Sequence, residues 1–283
     1  MKWIKTLVIA ACMLTLSCPA FAKQTDYFKT LQERLVSDGF IAKGIHYLYK
    51  QPGVDFDVDG VSLYFVHTES KLNYDQFLDP KPIQNAKNYM LTHKTRLMEA
   101  EKNYGVDREV ITAIALVETR LGTYTGNRSV FNTLSSMAAL GDKNVRNALW
   151  KKIESKSKMS LKRYHTKADQ KAGWAYKELK AFLNYTAKEN VTPLDIIGSY
   201  AGAMGICQFM PSNIKTLAKD GNNDGRVDLF DHADAIMSIA NYLKHYGWKP
   251  GIKSKKAYDV VYRYNHSSYY VKTVLKIADK LKG

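Results

Sequence analysis

The chain has 283 residues and carries 42 Lys and Arg against 27 Asp and Glu, a formal net charge of +15. A balance this basic attracts polyanions, whether nucleic acid, anionic lipid heads or cell-wall polymers. No zinc-finger spacing, RNP motif or comparable signature of nucleic-acid binding accompanies it, so nucleic acid is not the expected partner.

The first segment reads as an export signal. Lys2 and Lys5 precede the apolar run Leu7 to Leu16, and Ala20-Phe21-Ala22 supplies a small-x-small processing site. The run is shorter than the roughly 20 apolar residues a bilayer span needs. Residues 1–22 are therefore predicted to be a signal peptide, with the mature chain starting at Lys23 in the periplasm. Ile9-Ala10-Ala11-Cys12 loosely resembles a lipobox, which makes lipoprotein anchoring the second reading. Processing removes Cys12 and Cys18, and the remaining Cys207 has no partner for an internal disulfide. The mature chain, expected to be a monomer, must then be held by an ordinary core, and its length suits one large domain or two modest ones.

Residues 26–50 read as one or two helices, with Tyr27, Phe28, Leu31, Leu35 and Phe40 near helical spacing. From Gln51 to Pro82 the sequence is punctuated by Pro-Gly, Asp-Gly and Asp-Pro, and Val61 to Val66 resembles a strand. Ile83, Met90, Leu97 and Tyr104 recur every seven residues and predict one long amphipathic helix. Gly105 should end it, and Asp107 should cap the next helix, which Gly122 should stop. Residues 142–170 are basic and weakly patterned. Helical character returns at Gly173 to Ala187, another helix is expected from Thr192-Pro193-Leu194-Asp195, and a glycine-rich turn spans Gly198 to Gly205. Ala233 to Tyr246 and Tyr269 to Leu281 complete a mostly α chain, all-α or α+β with a small β element. The division expected is an N-terminal helical region, 23–82, packing on a catalytic core at 83–283.

Glu118 is the acid that stands out. Spacings of three, four and seven place it on the helix face of Leu121, Ile114 and Ile111. That face should be buried, and a low-dielectric setting penalises the ionised carboxylate. The negative end of the helix dipole, one turn away, acts in the same direction. A carboxylic acid still protonated near neutral pH is what glycosidic bond cleavage requires. Arg120 and Arg128 are the nearby cations able to neutralise it instead.

At this point a family resemblance enters. Tyr104-Gly105-Val106, Glu109-Val110-Ile111 and Val117-Glu118-Thr119-Arg120 with Gly122 resemble the catalytic helix of MltB-type lytic murein transglycosylases. Gly198 to Gly205 with Gln208-Phe209-Met210-Pro211-Ser212, then Asp220 to Asp231 continuing to Gly247-Trp248, then Tyr264-Asn265 with Tyr270, resemble later blocks of that family in the same order. The resemblance spans roughly residues 83 to 275. It implies a lysozyme-like core around a glycan groove, with Glu118 as the sole catalytic acid/base. It also implies that Ser199, Gln208, Tyr242, Tyr264, Asn265 and Tyr270 hold the sugars of peptidoglycan glycan strands. Aromatic faces suit sugar rings, and hydroxyls and amides suit their orientation. The Gly202 to Gly205 turn is expected to let backbone approach the substrate.

Ordinary glycosidases use two carboxylates. The resemblance supplies only Glu118, and nothing in the spacing of Glu101, Asp142 or Asp195 favours one of them as a second. The expected reaction is a lyase-type cut between N-acetylmuramic acid and N-acetylglucosamine that leaves 1,6-anhydro ends. A hydrolytic muramidase of the same fold and a non-catalytic wall-binding protein are the alternatives. Cell-wall synthesis or remodelling proteins are the protein partners such an enzyme would have. Cys207 lacks a motif-supported His or Asp beside it and reads as a buried thiol, and His266 as part of the turn after Asn265.

Asp220-x-Asn222-x-Asp224-Gly225-Arg226-x-Asp228 follows the register of an EF-hand loop, with Arg226 offering its backbone carbonyl. A structural Ca2+ ion is therefore expected over residues 220–234, held by Asp220, Asn222, Asp224, Arg226 and one closing carboxylate. Asp231 stands where the loop ordinarily has Glu, and Asp234, one helical turn on, is the closer that the resemblance favours.

Overall fold

The computed structural model describes residues 26–66 and 73–282; the predicted signal peptide lies outside them. The described chain is built from helices α1 Lys29–Ser37, α2 Ala42–Tyr49, α3 Val58–Val66, α4 Pro80–Thr92, α5 Lys94–Tyr104, α6 Arg108–Thr119, α7 Val130–Ala139, α8 Lys143–Ile153, α9 Leu161–Glu189, α10 Pro211–Leu217, α11 His232–His245, α12 Ser254–Tyr264 and α13 Ser268–Lys282. Its one sheet among the described residues pairs β1, Arg128–Ser129, antiparallel with β2, Ile197–Gly198. The expectation of a mainly helical chain with a small β element holds.

Four local expectations change. Val61 to Val66 belongs to helix α3 rather than to a strand. Asp57 starts that helix by accepting the Gly60 N–H at 2.8 Å, and Val61 and Phe65, four apart, turn to the core. The long helix expected across Ile83 to Tyr104 breaks at His93, whose ring packs between Tyr89 (centroids 4.3 Å apart) and His232 (4.5 Å). Helix α9 starts at Leu161, well before Gly173, and runs 29 residues. Before Gly173 its buried residues are Tyr164, Ala168 and Ala172 among lysines, a weak apolar signal in the sequence. No helix forms at Thr192; a three-residue 3-10 turn, Pro193–Asp195, leads straight into β2.

The core joins all of these. Helix α7 packs on α9, α13 lies along α6, and α11 lies on α5. The Tyr49 and Phe131 rings pack tilted with centroids 4.9 Å apart, and the Tyr49 hydroxyl meets Ser135 at 2.9 Å, which seats the first helices on α7. Gly105 ends α5 in the left-handed region (φ 67°). Asp107 stands at the N-cap of α6, but its carboxylate accepts from Lys282 at 3.0 Å instead of capping the helix. No described helix is long and apolar enough to cross a membrane.

Candidate active site

Helix α6 is buried over nearly its whole length, from Glu109 to Val117. Apart from its first residue, Arg108, only Glu118 interrupts that buried run: it is half-buried, at the floor of a cleft of about 560 Å3. The helix ends one residue later in a tight reversal. Arg120 (φ 51°), Leu121 (φ 63°) and Gly122 (φ 85°) are all left-handed, a conformation that strains side chains bearing a Cβ by about 1–3 kcal/mol each. The reversal is held from inside. The Leu121 N–H donates to Ala115 O at 2.9 Å and the Tyr124 N–H to Thr119 O at 3.0 Å. The buried Thr119 hydroxyl donates to Ile206 O at 3.0 Å.

The electrostatics of Glu118 follow from what surrounds it. Its Oε1 accepts the Tyr270 hydroxyl at 2.7 Å, and neither neighbouring arginine reaches it. Arg128 pairs with Asp57 at 2.9 Å, and Arg120 donates to Gln76 at 3.3 Å. Burial without a counter-charge pushes the Glu118 pKa up to about 7, the Tyr270 hydrogen bond offsetting part of the rise. Burial and the nearby carboxylate hold Tyr270 itself well above the usual phenol range, so at neutral pH it donates.

The cleft wall is assembled from distant segments. Asn73, Tyr74, Gln76 and Phe77 form one side, Tyr124 to Arg128 another, and Ser199, Tyr200, Gln208 and Asn265 the rest. Ser199 Oγ accepts the N–H groups of Ala201 (3.2 Å) and Ala203 (3.1 Å), which leaves its O–H to donate. Gln208 is itself left-handed (φ 48°), and its amide nitrogen donates to Thr125 O at 3.0 Å and Gly205 O at 2.9 Å. A ligand would therefore meet its carbonyl oxygen. Gly202 (φ 87°) is demanded by the protein's own core, since a Cβ there would stand 2.7 Å from the Leu134 side chain. That reason differs from the close substrate approach expected of this turn.

The structure thus brings Glu118, Ser199, Gln208, Asn265 and Tyr270 to one cleft. Tyr242 and Tyr264 are not on its lining. They pack on each other at 4.6 Å beneath it and donate to Arg263 O and Cys207 O, both at 2.6 Å. The wall residues Asn73, Tyr74, Gln76 and Phe77 went unnoticed in the sequence, where a five-residue 3-10 helix, Tyr74–Leu78, leaves no periodicity to detect. Among the lining residues Glu118 is the one carboxylate. Asp142 caps α8 and accepts from Thr30, Glu101 accepts the Arg108 N–H, and Asp195 sits in the turn before β2. Cys207 is fully buried, and desolvation raises its thiol pKa.

The acidic loop lies apart from the cleft. Asp220 Oδ1 accepts the N–H groups of Asn223 (2.7 Å) and Asp224 (3.2 Å), and its Oδ2 that of Gly225 (2.8 Å). Asp231 caps α11 through Ala233 N (2.7 Å) and Asp234 N (3.2 Å). Asp234, only 1% exposed, clasps both ends of the loop, accepting Gly221 N and Asp228 N at 2.7 Å each. Arg226 turns away to Glu189 O at 2.6 Å, and the buried Glu189 carboxylate accepts Val227 N at 3.1 Å. This anchoring to α9 was not legible in the loop's own sequence.

Comparison with known proteins places this arrangement. Over 176 residues the chain is 34% identical to the membrane-bound lytic murein transglycosylase B of Escherichia coli K12, covering 62% of this chain and 41% of that protein, so it spans less than half of that relative's length. The fold matches the soluble lytic transglycosylase SltB1 of Pseudomonas aeruginosa with a TM-score of 0.72 at 24% identity, over 90% of this chain and 97% of that one. It matches the E. coli lytic transglycosylase Slt35, solved in complex with calcium, with a TM-score of 0.71 at 23% identity, over 91% and 93%. The expected lysozyme-like fold is therefore the one observed. A family model described as the transglycosylase SLT domain matches residues 23–257, and the chain belongs to that family.

Proposed function

We propose that the protein is a periplasmic lytic murein transglycosylase in which Glu118 acts first as acid and then as base. The carrying observation is a single cleft carboxylate, uncompensated by any cation and with its pKa pushed up to about 7. Protonated, Glu118 delivers its proton to the oxygen joining N-acetylmuramic acid to N-acetylglucosamine. The cation-like centre left at C1 is stabilised by the muramic 2-acetamido group. Glu118, now ionised, takes the proton of the C6 hydroxyl as that oxygen closes the 1,6-anhydro ring, so no water is consumed. Tyr270 fits a positioning role: its hydroxyl orients Oε1 and steadies the carboxylate in the ionised half of the cycle. Ser199, Gln208 and Asn265 offer a donor, an acceptor and an amide to the sugars. Murein from which Glu118→Gln clears turbidity as fast as wild type would refute this reading; a loss of about 10²–10⁴-fold supports it.

The acidic loop fits a structural Ca2+ ion. Asp220, Asn222, Asp224, the Arg226 carbonyl and Asp234 are all hard oxygen donors. None of the five aspartates from Asp220 to Asp234 forms an ion pair among the described residues. No group of three or more His, Cys, Asp or Glu side chains among those residues is gathered in ligating geometry, since backbone N–H groups hold the carboxylates in place. The ion would supply charge neutralisation. A chelator should lower Tm and added Ca2+ restore it; a Tm indifferent to both would remove the ion from the account.

A further inference from the structure

The basic, weakly patterned stretch of the sequence forms one corner of the fold. Residues 143–171 hold ten Lys and Arg against two acids, Glu154 and Asp169, so more than half of the chain's net charge of +15 falls in this short segment. Asp169 is engaged within the fold, accepting from the buried Arg146 at 3.0 Å. Six of the cations, Lys151, Lys152, Lys156, Lys158, Lys162 and Arg163, run from the end of α8 through the connecting turn into the start of α9. All six are exposed, and none forms an ion pair among the described residues. The framework beneath them is fixed. The buried Tyr164 donates its hydroxyl to Arg146 O at 2.9 Å, and its ring packs on Trp150 with centroids 4.9 Å apart. Amid these cations Leu161 is 48% exposed. Beside it Ser160, Lys162, Arg163, Thr166, Lys167 and Gln170 line a cavity of about 500 Å3 with no Asp or Glu on its wall. None of these residues lines the catalytic cleft.

Like charges this close repel one another, a cost that an anionic partner reverses. Solubility accounts for the cations but not for a leucine set among them, and a linear polyanion has no use for that leucine either. A bilayer uses both, since cations meet its phosphates while an apolar side chain enters the acyl boundary. We propose that the α8–α9 corner docks on a bilayer bearing anionic phospholipid headgroups, with Leu161 entering the interface and one lipid phosphate seated among Lys162, Arg163 and Lys167. The cavity suits a phosphodiester. Arg163 offers a planar fork of donors. Ser160 Oγ accepts the Arg163 N–H at 3.3 Å, which leaves its O–H to donate, and the Gln170 amide offers a further donor. Lys167 is steadied by donating to Tyr64 O at 2.9 Å. Nothing in this docking depends on the chemistry at Glu118.

Sedimentation with vesicles tests it, using equimolar phosphatidylglycerol and phosphatidylcholine against phosphatidylcholine alone. The protein should bind the anionic vesicles only, and less tightly as salt screens the charges. Each cation near such a surface is worth about fivefold in affinity, so Lys162→Gln combined with Arg163→Gln should weaken binding about 25-fold. Lys255→Gln combined with Lys256→Gln removes the same net charge from exposed positions on α12 and should weaken it by no more than about twofold. Leu161→Ser should weaken vesicle binding several-fold and leave retention on soluble polyphosphate unchanged. Thermal unfolding of each variant beside wild type checks the fold. No binding to the anionic vesicles overturns the proposal, as does an equal loss in the two double variants, which would make net charge alone responsible. Vesicle binding that Leu161→Ser leaves intact, or that soluble glycerol phosphate abolishes, would assign the corner to a soluble phosphate compound and also overturn it. A protein that cuts no murein yet passes these tests would refute the reading above and leave the docking standing.

Discussion

Glu118 and the aspartates of the 220–234 loop are the same functional group in opposite settings. Glu118 receives one hydrogen bond, from Tyr270, and no backbone N–H. Asp220 receives three backbone N–H groups and Asp234 three as well. Hydrogen bonds to the charged form stabilise it, and burial without them does the reverse. The loop spends its carboxylates on architecture, whereas the cleft leaves its one carboxylate with a single hydrogen bond. Burial raises the Asp234 pKa as well, its backbone hydrogen bonds offsetting part of the rise, so the bonding partners and the place in the fold, rather than residue type, separate the two roles.

The comparison breaks most severely at Glu118, where the loss of activity in Glu118→Gln should exceed the effect of any loop change on turnover. For the loop the readout is stability. Asp234→Ala removes its bonds to Gly221, Asn222 and Asp228 and should cost about 2–4 kcal/mol. At roughly 2–4 °C per kcal/mol for a chain of this size, thermal unfolding should start about 5–15 °C lower. A drop of less than a degree would contradict the clasp.

A third outcome concerns pH. The folded-state pKa of Glu118, about 7, lies above its ordinary value of 4.5. The contribution of this group to stability is therefore complete below about pH 4.5 and is lost as pH rises through 7. Glu118→Gln, which cannot ionise, should be more stable than wild type by about 2–3 kcal/mol at pH 8, with the gap closing below pH 4.5. Denaturant titrations at the two pH values measure it, and a gap independent of pH would contradict the raised pKa.

The smallest change is Tyr270→Phe. Removing a bond that favours the ionised form raises the Glu118 pKa further, by about one unit. The alkaline limb of the pH–rate profile should move up by that amount while turnover at its optimum falls several-fold. A limb that stays in place would separate Tyr270 from the acid.

The helices carrying the site were legible where apolar residues recur densely, as in α6 and α13. They were illegible where one tyrosine and alanines among lysines do the packing, as at the start of α9. Val61 to Val66 was misread because β-branched and aromatic residues suit a strand, while Asp57 starting a helix weighs on a single hydrogen bond. Periodicity placed Glu118 on a buried face, but it left Arg120 and Arg128 as equal claimants on its charge. Only the fold sends Arg128 to Asp57 and Arg120 to Gln76, partners 71 and 44 residues away. Tyr270, 152 residues from Glu118, entered through family resemblance alone, since no local pattern links positions so far apart. Tyr242 and Tyr264 came from the same resemblance, and the fold packs them on each other at 4.6 Å, off the cleft lining.

The central claim is that one carboxylate cuts the glycan without admitting water. Mass analysis of the muropeptides released from murein by the wild-type protein tests it directly. Products ending in anhydromuramic acid are the predicted result; products heavier by one water, with reducing ends, would make the protein a hydrolase and contradict the account.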